Sequence, residues 1–442
     1  MSEQSIGVGL IGCGTVGSGV VELLQEQAEL YARRLGCRLE LRRVLVRPQD
    51  VDYKTERVPR DVLVTDPEAF FATDNMPILV ELGGGRGAIS QFVRRALDMG
   101  KHVVTANKAL LAAEGAELFA LARQRGVSIG FEASCAGGIP LITALNFGLM
   151  ANRIQALYGI LNGTCNYILS QMTSKDAPYA TALAEAQTRG FAEADPTLDV
   201  GGGDTAHKLA IIASLAFGCQ VSDEAIPCTG IDTLDLADVR FGAELGYEMK
   251  LLGMAERIDD GNGSPGLSLS VQPCFIHREE PLAQVHGSFN AISIFGHAVG
   301  QTVYVGRGAG KEPTASAVVS DVLNIAAGWY PQAFGKLHIW PDQQKPPRLF
   351  DPRQVQARYY LRFNALDRPG VMGAIATALG DAGISLSGII QHESCAGEFV
   401  PLVMTTHEAR QGPLNDALAK LEQRDFIDGE PVVIRVVEMP PG

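Results

Sequence analysis

The stretch "IGVGLIGCGTVGSGVVELL", residues 6–24, decides the fold. "IGVGLI" (6–11) is short and apolar enough for a buried strand, and a run with helical spacing starts near residue 16. Between them stand glycines at 12, 14 and 17. A strand that enters a helix through G-x-G-x-x-G is the fingerprint of a dinucleotide site. Its first glycine permits the tight turn, its second lets the backbone approach the pyrophosphate, and its third lets helix and strand pack closely. Gly12, Gly14, Thr15, Val16 and Gly17 are therefore the expected cofactor-binding residues.

Working outward, the helix is expected over 16–35 and a second strand over "RLELRRVLVR" (38–47). "MPILVEL" (76–82), "KHVVTAN" (101–107) and "VSIGFEAS" (127–134) follow as strands. Helices lie between them, one carrying Phe92, Ala96 and Leu97 and one at 109–125. Strands alternating with helices predict an α/β fold with a Rossmann-type doubly wound parallel sheet over residues 1–150. An NAD-preferring site usually has an acid after the second strand. Here Arg47 stands there, which suits a 2′-phosphate, so the reading leans to NADP with NAD also open. Thr105, Asn107 and Lys108 fall at the carboxyl end of a strand, the edge where such sheets bind ligands.

Beyond residue 150 the texture changes. "RIQALYGIL" (153–161), "LSLSVQPCFI" (267–276) and "HGSFNAISIFG" (286–296) nearly alternate, predicting a mostly antiparallel sheet, with helices at 166–173, 178–189, 204–217 and 236–257. This α+β region, 151–313, is expected to bind substrate and to dimerise. "DDGNGSPG" (259–266) is expected as a surface loop. A helix at 314–329, within a segment 314–340, is expected to pack back on the first domain. The proline-rich 341–355 reads as a linker. A strand-helix-strand-strand-helix-strand unit fills 356–442.

The chain of 442 residues carries a net charge of −13, which argues against nucleic acid and anionic membrane as partners. Its eight cysteines are scattered, without C-x-x-C or metal spacing, so a reducing compartment, the cytoplasm, is expected. The sequence shows no basic region before an apolar leader and no apolar run of the roughly 20 residues that a membrane span needs.

"EADPTLDVGGGDTAHKLAII" (193–212) gathers Glu193, Asp195, Asp199 and Asp204 around three glycines, ahead of a lone Lys208. Asp204 and Lys208 are spaced i,i+4 and share a helix face. A nicotinamide enzyme needs a group that exchanges a proton with the substrate oxygen, and a lysine positioned by carboxylates can supply it. Glu193 and Asp199 would be free to bind a cationic end. The pattern asks for a small substrate with an ammonium at one end and an oxygen to be oxidised or reduced at the other.

Five segments in one order carry a resemblance over nearly the whole chain: "TANKALL" (105–111), "FEASCAGGIPLI" (131–142), "GILNGTCNYIL" (159–169), "AQTRGFAEADPTLDVGGGDTAHK" (186–208) and "GRGAGKEPTASAVVSD" (306–321). Together they resemble the homoserine dehydrogenases. The resemblance implies NAD(P)-linked interconversion of L-aspartate 4-semialdehyde and L-homoserine, on the way to threonine, methionine and isoleucine. It implies that Lys208 transfers the proton with Lys108 close by. It also implies that Glu193, Asp199, Asp204, Gly163 and Thr164 line the substrate site, and that Gly310 lies against the cofactor. A monovalent cation, Na+, is implied at the side chain of Glu132 and the carbonyls of Cys135, Gly137 and Ile139. "VELGGGRGAIS" (80–90) is looser than the family's usual strand end. "RYYLRFNALDRPGVMGAIATALGDAGISLSGIIQ" (358–391) resembles the opening of a ferredoxin-like ACT domain. There the turn Asp367–Gly370, opposite Gly383 and Ile384, would take an effector, L-threonine by the family's habit. A homodimer or homotetramer, paired through the 150–300 sheet, is expected.

Two rivals make different demands. A phosphorylating semialdehyde dehydrogenase would use Cys135 as a thiolate and needs a histidine base, and none of the eight histidines stands in such a motif. An amino-acid sensor with a vestigial dehydrogenase domain would have no use for Lys108, Lys208 and an intact glycine fingerprint together.

Overall fold

The protein is described by a computed structural model covering residues 5–51, 58–259, 265–392 and 397–440. Six parallel strands build the first sheet: β1 (Ser5–Ile11), β2 (Arg38–Leu45), β3 (Leu63–Val64), β4 (Ile78–Glu81), β5 (His102–Thr105) and β6 (Ile129–Gly130). Their order is β3-β2-β1-β4-β5-β6, so the direction of winding reverses between β1 and β4. That reversal opens a crevice at the carboxyl ends of the strands. The glycine turn after β1, the Gly83–Gly85 turn after β4, Lys108 after β5 and Glu132 after β6 all lie along this one edge.

Two expected elements of this domain are shorter than the sequence suggests. The helix over 16–35 is two, Thr15–Glu26 and Ala28–Leu35, because Gln27 leaves helical geometry (φ −105°, ψ 15°). The second piece runs along the surface and buries only Tyr31. The strand over 127–134 stops at Gly130, because the chain turns at Phe131 and the Glu132 amide donates to the buried Asp321 carboxylate at 2.9 Å.

The second sheet begins β11-β10-β7-β8-β9, with β7 (Ile154–Ile160), β8 (Tyr247–Ile258), β9 (Gly266–His277), β10 (Phe289–Gly296) and β11 (Gly300–Arg307). The helix expected over 236–257 is replaced by a short helix, Leu236–Glu244, and by β8. Gly246, at φ +88°, turns the chain between them. Met249 to Ala255 are buried without a break, because β8 is central and covered on both faces. A strand in that position loses the alternation that marks a half-exposed one. Residues 260–264 of the loop expected at 259–266 lie outside the described residues.

The helix Lys311–Ala326 packs against Thr15–Glu26, where a Cβ on Gly19 would sit 3.0 Å from Ala315 Cβ. The helix Trp329–Lys336 then leads into an aromatic cluster in which Trp340 is fully buried and its ring centroid lies 4.8 Å from that of Phe334. Residues 341–355 are no free tether. Asp342 holds Arg123 with two hydrogen bonds of 3.0 Å, the Gln220 amide donates to Lys345 O, and Leu267 bonds Arg348 and Phe350 through its backbone.

The C-terminal unit is β12 (Gln356–Leu366), helix Val371–Asp381, β13 (Leu386–Ile390), β14 (Phe399–Thr406), helix Gln411–Glu422 and β16 (Val432–Val437), with a two-residue β15 (Ala409–Arg410) pairing β12. Its sheet is the continuation of the second one. β16 runs parallel to β9, Arg435 opposite Cys274 and Val437 opposite Ile276, and the order goes on as β9-β16-β12-β14-β13. One face of this extension covers its own two helices. The other meets the helix Leu236–Glu244, where Asp238, 1% exposed, accepts two hydrogen bonds from Arg362 and one from Tyr360. Among the described residues no helix is long and apolar enough to cross a membrane.

Candidate active site

The glycine turn has the shape its sequence implies. Gly12 has φ +87°, and a Cβ there would meet Gly83 and Leu82 backbone at 2.7 Å. A Cβ on Gly17 would meet Gly12 O at 2.3 Å, so the helix sits hard against the turn, whereas Gly14 faces open space. Thr15 and Val16 open the helix, with no side-chain cap on its first amides. Unbonded amides at a helix start facing an open glycine form a ready anion site. Arg47 follows β2 and lies 74% exposed, paired with Asp50 at 2.9 Å.

Across the crevice Asn107 caps the helix Lys108–Arg125 by accepting from Leu110 N, and its Nδ2 donates to Gly85 O at 2.6 Å. This bond ties the β5 end to the glycine turn after β4. The Thr105 hydroxyl is spent on Glu81, at 2.7 Å, rather than aimed into the crevice. Glu81, fully buried, also accepts from Gly84 N. Its role was not legible in the sequence, where it reads as one acid near the end of the apolar strand 76–82.

The centre of the site is Asp204, second residue of the helix Gly203–Phe217 and 4% exposed. Its Oδ1 lies 2.7 Å from Lys108 Nζ and its Oδ2 lies 2.7 Å from Lys208 Nζ. Gly202, at φ +86°, makes the turn that brings the loop into the helix. Asn162 caps the helix Gly163–Lys175 and sends one N–H to Asp204 Oδ2 (2.9 Å) and one to Asp199 Oδ1 (2.7 Å). Lys208 Nζ also donates to Leu161 O at 2.7 Å. Two lysines and two carboxylates thus converge from the two domains.

Burial alone would raise the pKa of Asp204, but the adjacent charges of Lys208 and Lys108 outweigh it and hold the carboxyl far below its usual range. Burial likewise works against a charged Lys108, and Asp204 overrides it, so that amine is raised. Burial raises Asp199 against the opposing hydrogen bond from Asn162.

Other acids of the 193–212 stretch are placed differently. Asp195 caps the turn at Thr197 through the backbone amide and the hydroxyl. Glu193 is exposed, and no described bond joins its carboxylate to the cluster. The Thr164 hydroxyl donates to Phe191 O at 2.6 Å, and Gly163 lies against Ser288 O, where a Cβ would stand at 2.7 Å. Gly310, at φ +122°, opens the helix Lys311–Ala326.

Cys135 is fully buried and its thiol is pushed up to about 12, chiefly by burial. Full burial and a raised thiol both count against Cys135 as a nucleophile, and so against the rival that needs one. The loop instead has features of a cation site. Ala136 and Gly137 take positive φ (55° and 31°), and among the described residues the carbonyls of Cys135 and Gly137 accept no hydrogen bond. Ile139 O accepts from Leu141 N. Glu132, 5% exposed, accepts from Ile142 N, Thr143 N and the Thr143 hydroxyl. Burial raises its pKa. The set fits a monovalent ion held largely by carbonyls, and among the described residues no three His, Cys, Asp or Glu side chains converge as for a transition metal.

The chain is similar to known proteins along nearly its whole length. The family model described as "Homoserine dehydrogenase, NAD binding domain" matches residues 12–132, "Homoserine dehydrogenase" matches 140–323, and "ACT domain" matches 359–426. A homoserine dehydrogenase of Pseudomonas aeruginosa is 41% identical over 99% of this chain and 100% of its own. One from Bacillus subtilis is 38% identical over 96% of each. The crystal structure of a homoserine dehydrogenase from Thiobacillus denitrificans superposes with a TM-score of 0.91 at 41% identity, covering 98% of this chain and 99% of that one.

Proposed function

The chain belongs to the homoserine dehydrogenase family, a nicotinamide-dependent oxidoreductase with an ACT domain, and from that premise we propose how its residues divide the reaction. The reaction is the reversible reduction of L-aspartate 4-semialdehyde to L-homoserine, a step towards threonine, methionine and isoleucine in the cytoplasm. The observation that carries the mechanism is Asp204 bridging two lysine ammonium groups at the mouth of the glycine-turn crevice. A nicotinamide held at the glycine turn would supply the hydride that reduces C4 of the aldehyde. Lys208 gives its proton to the C4 oxygen, and in the reverse direction takes it back. Asp204 and Leu161 O aim that amine, and Lys108 adds positive charge beside the developing alkoxide. Asp199, with Asn162, offers a carboxylate to the substrate ammonium, and the start of the helix Gly163–Lys175 faces the substrate carboxylate. Glu193 would join them by closing over the site.

Thr15, Val16, Gly12, Gly14 and Gly17 would cradle the pyrophosphate, with Gly310 beside the cofactor. Arg47 would leave Asp50 for a 2′-phosphate, favouring NADP over NAD. Na+ at Glu132, Cys135, Gly137 and Ile139 would compensate the buried carboxylate and stiffen the loop after β6. The ACT domain would bind L-threonine at Asp367–Gly370 as a feedback inhibitor. Pairing through the second sheet would give a dimer. β11 is its edge strand, with Val305 55% exposed.

The direct test is oxidation of L-homoserine, followed by the absorbance of the reduced cofactor, with NADP and NAD and with and without L-threonine. Turnover is expected with both cofactors. No turnover with either would overturn the proposal.

A further inference from the structure

The carbonyl of Leu161, just past the end of β7, accepts two hydrogen bonds. One comes from Lys208 Nζ at 2.7 Å, the other from Asn290 Nδ2 at 2.9 Å. Asn290 lies on β10 and is 1% exposed. Its amide is clamped: a Cβ on Gly308 would stand 2.1 Å from Asn290 Cγ, so only glycine leaves space for it. The preceding residue is fixed as well, because Phe289 O accepts from Asn166 Nδ2 at 3.1 Å.

A lysine has four rotatable bonds, and its amine is aimed only by what holds the far end. Lys208 has two such anchors, a carboxylate one turn back on its own helix and the Leu161 carbonyl on a different element. The first moves with the helix. The second sets the amine relative to β7 and to the start of the helix Gly163–Lys175, where substrate is proposed to bind. A peptide at a strand end is free to tilt unless its oxygen is held from a second direction, and Asn290 holds it.

We propose that Asn290 is a positioning residue for Lys208, which orients the amine by fixing the Leu161 carbonyl. The inference rests on the reading that Lys208 transfers the proton.

A double-mutant cycle on the full-length enzyme tests it. Asn290→Ala should lower kcat for homoserine oxidation by at least about tenfold, the scale of a small misplacement of a reacting group, with the KM for L-homoserine changed less than about threefold. In the Lys208→Ala background the same substitution should change kcat less than about twofold, because its effect runs through an amine no longer there. Asn290→Leu nearly keeps the volume and removes the donor, so it should reproduce the loss even if the alanine variant folds poorly. A folded Asn290→Leu enzyme with native kcat overturns the inference. So does an equal fold-loss in both backgrounds, the mark of a merely structural role. Native turnover in Lys208→Ala alone would overturn the proton-transfer reading instead.

Discussion

Asp204 accepts a hydrogen bond of 2.7 Å from Lys208, four residues further along the same helix. An i,i+4 pair on an exposed helix face stabilises by a few tenths of a kcal/mol. This one is buried, and its other oxygen is claimed by Lys108 from the first domain. The pair therefore joins two domains at the point where cofactor and substrate are proposed to meet.

Lys208→Ala is expected to lower kcat by about 10²-fold or more, the size of a general acid–base contribution. Lys108→Ala should cost less, because its side chain is 32% exposed against 11% for Lys208 and water can replace it. Steady-state rates of purified variants decide this. Equal and small losses would show that neither amine moves the proton.

The same carboxylate sets a pH dependence of stability. Asp204 is held below its unfolded pKa of about 3.9, so the folded state gains from its charge above that value and loses the gain as pH falls from there through the lower folded pKa. Urea unfolding of the wild type and Asp204→Asn should show the largest gap near neutrality and a shrinking one below about pH 4. A gap that widens on acidification would contradict this sign.

Cys135 should resist alkylation in the folded protein at mildly alkaline pH and react once urea unfolds it, because the native thiol is buried and raised. Peptide mass spectrometry of iodoacetamide-treated protein gives the answer. Rapid native labelling with loss of activity would restore the thiolate rival.

Arg362→Met should destabilise the whole protein by about 3 kcal/mol, since it leaves the buried Asp238 without its charged partner. Adding Asp238→Asn should recover part of the loss. Denaturant midpoints measure both.

Arg47→Ala should raise the KM for NADPH about tenfold while barely changing that for NADH, the loss of one charge-assisted contact to a phosphate. An unchanged ratio would remove Arg47 from the cofactor site.

Much of this was readable in the residues. The glycine turn could be read because each of its positions answers a different steric demand, and Asp204 and Lys208 because helical spacing places them on one face. β8 was not, since a strand buried on both faces shows the same unbroken apolar run as a buried helix segment. The bond from Asn290 to Leu161 was hidden because its acceptor is a backbone carbonyl, which no side-chain pattern marks. Glu193 shows the opposite limit: despite its closeness in sequence to Asp199, its carboxylate is exposed here and no described bond joins it to the cluster.

The seam between β9 and β16 has a consequence for how the molecule holds together. β16 comprises residues 432–437, so the joint between the second sheet and the C-terminal unit is closed by a strand far along the chain from β9. Without it β9 presents an unpaired edge, and a chain cut before residue 432 would leave that edge open. Chains so truncated are expected to aggregate or be degraded rather than persist as folded enzyme.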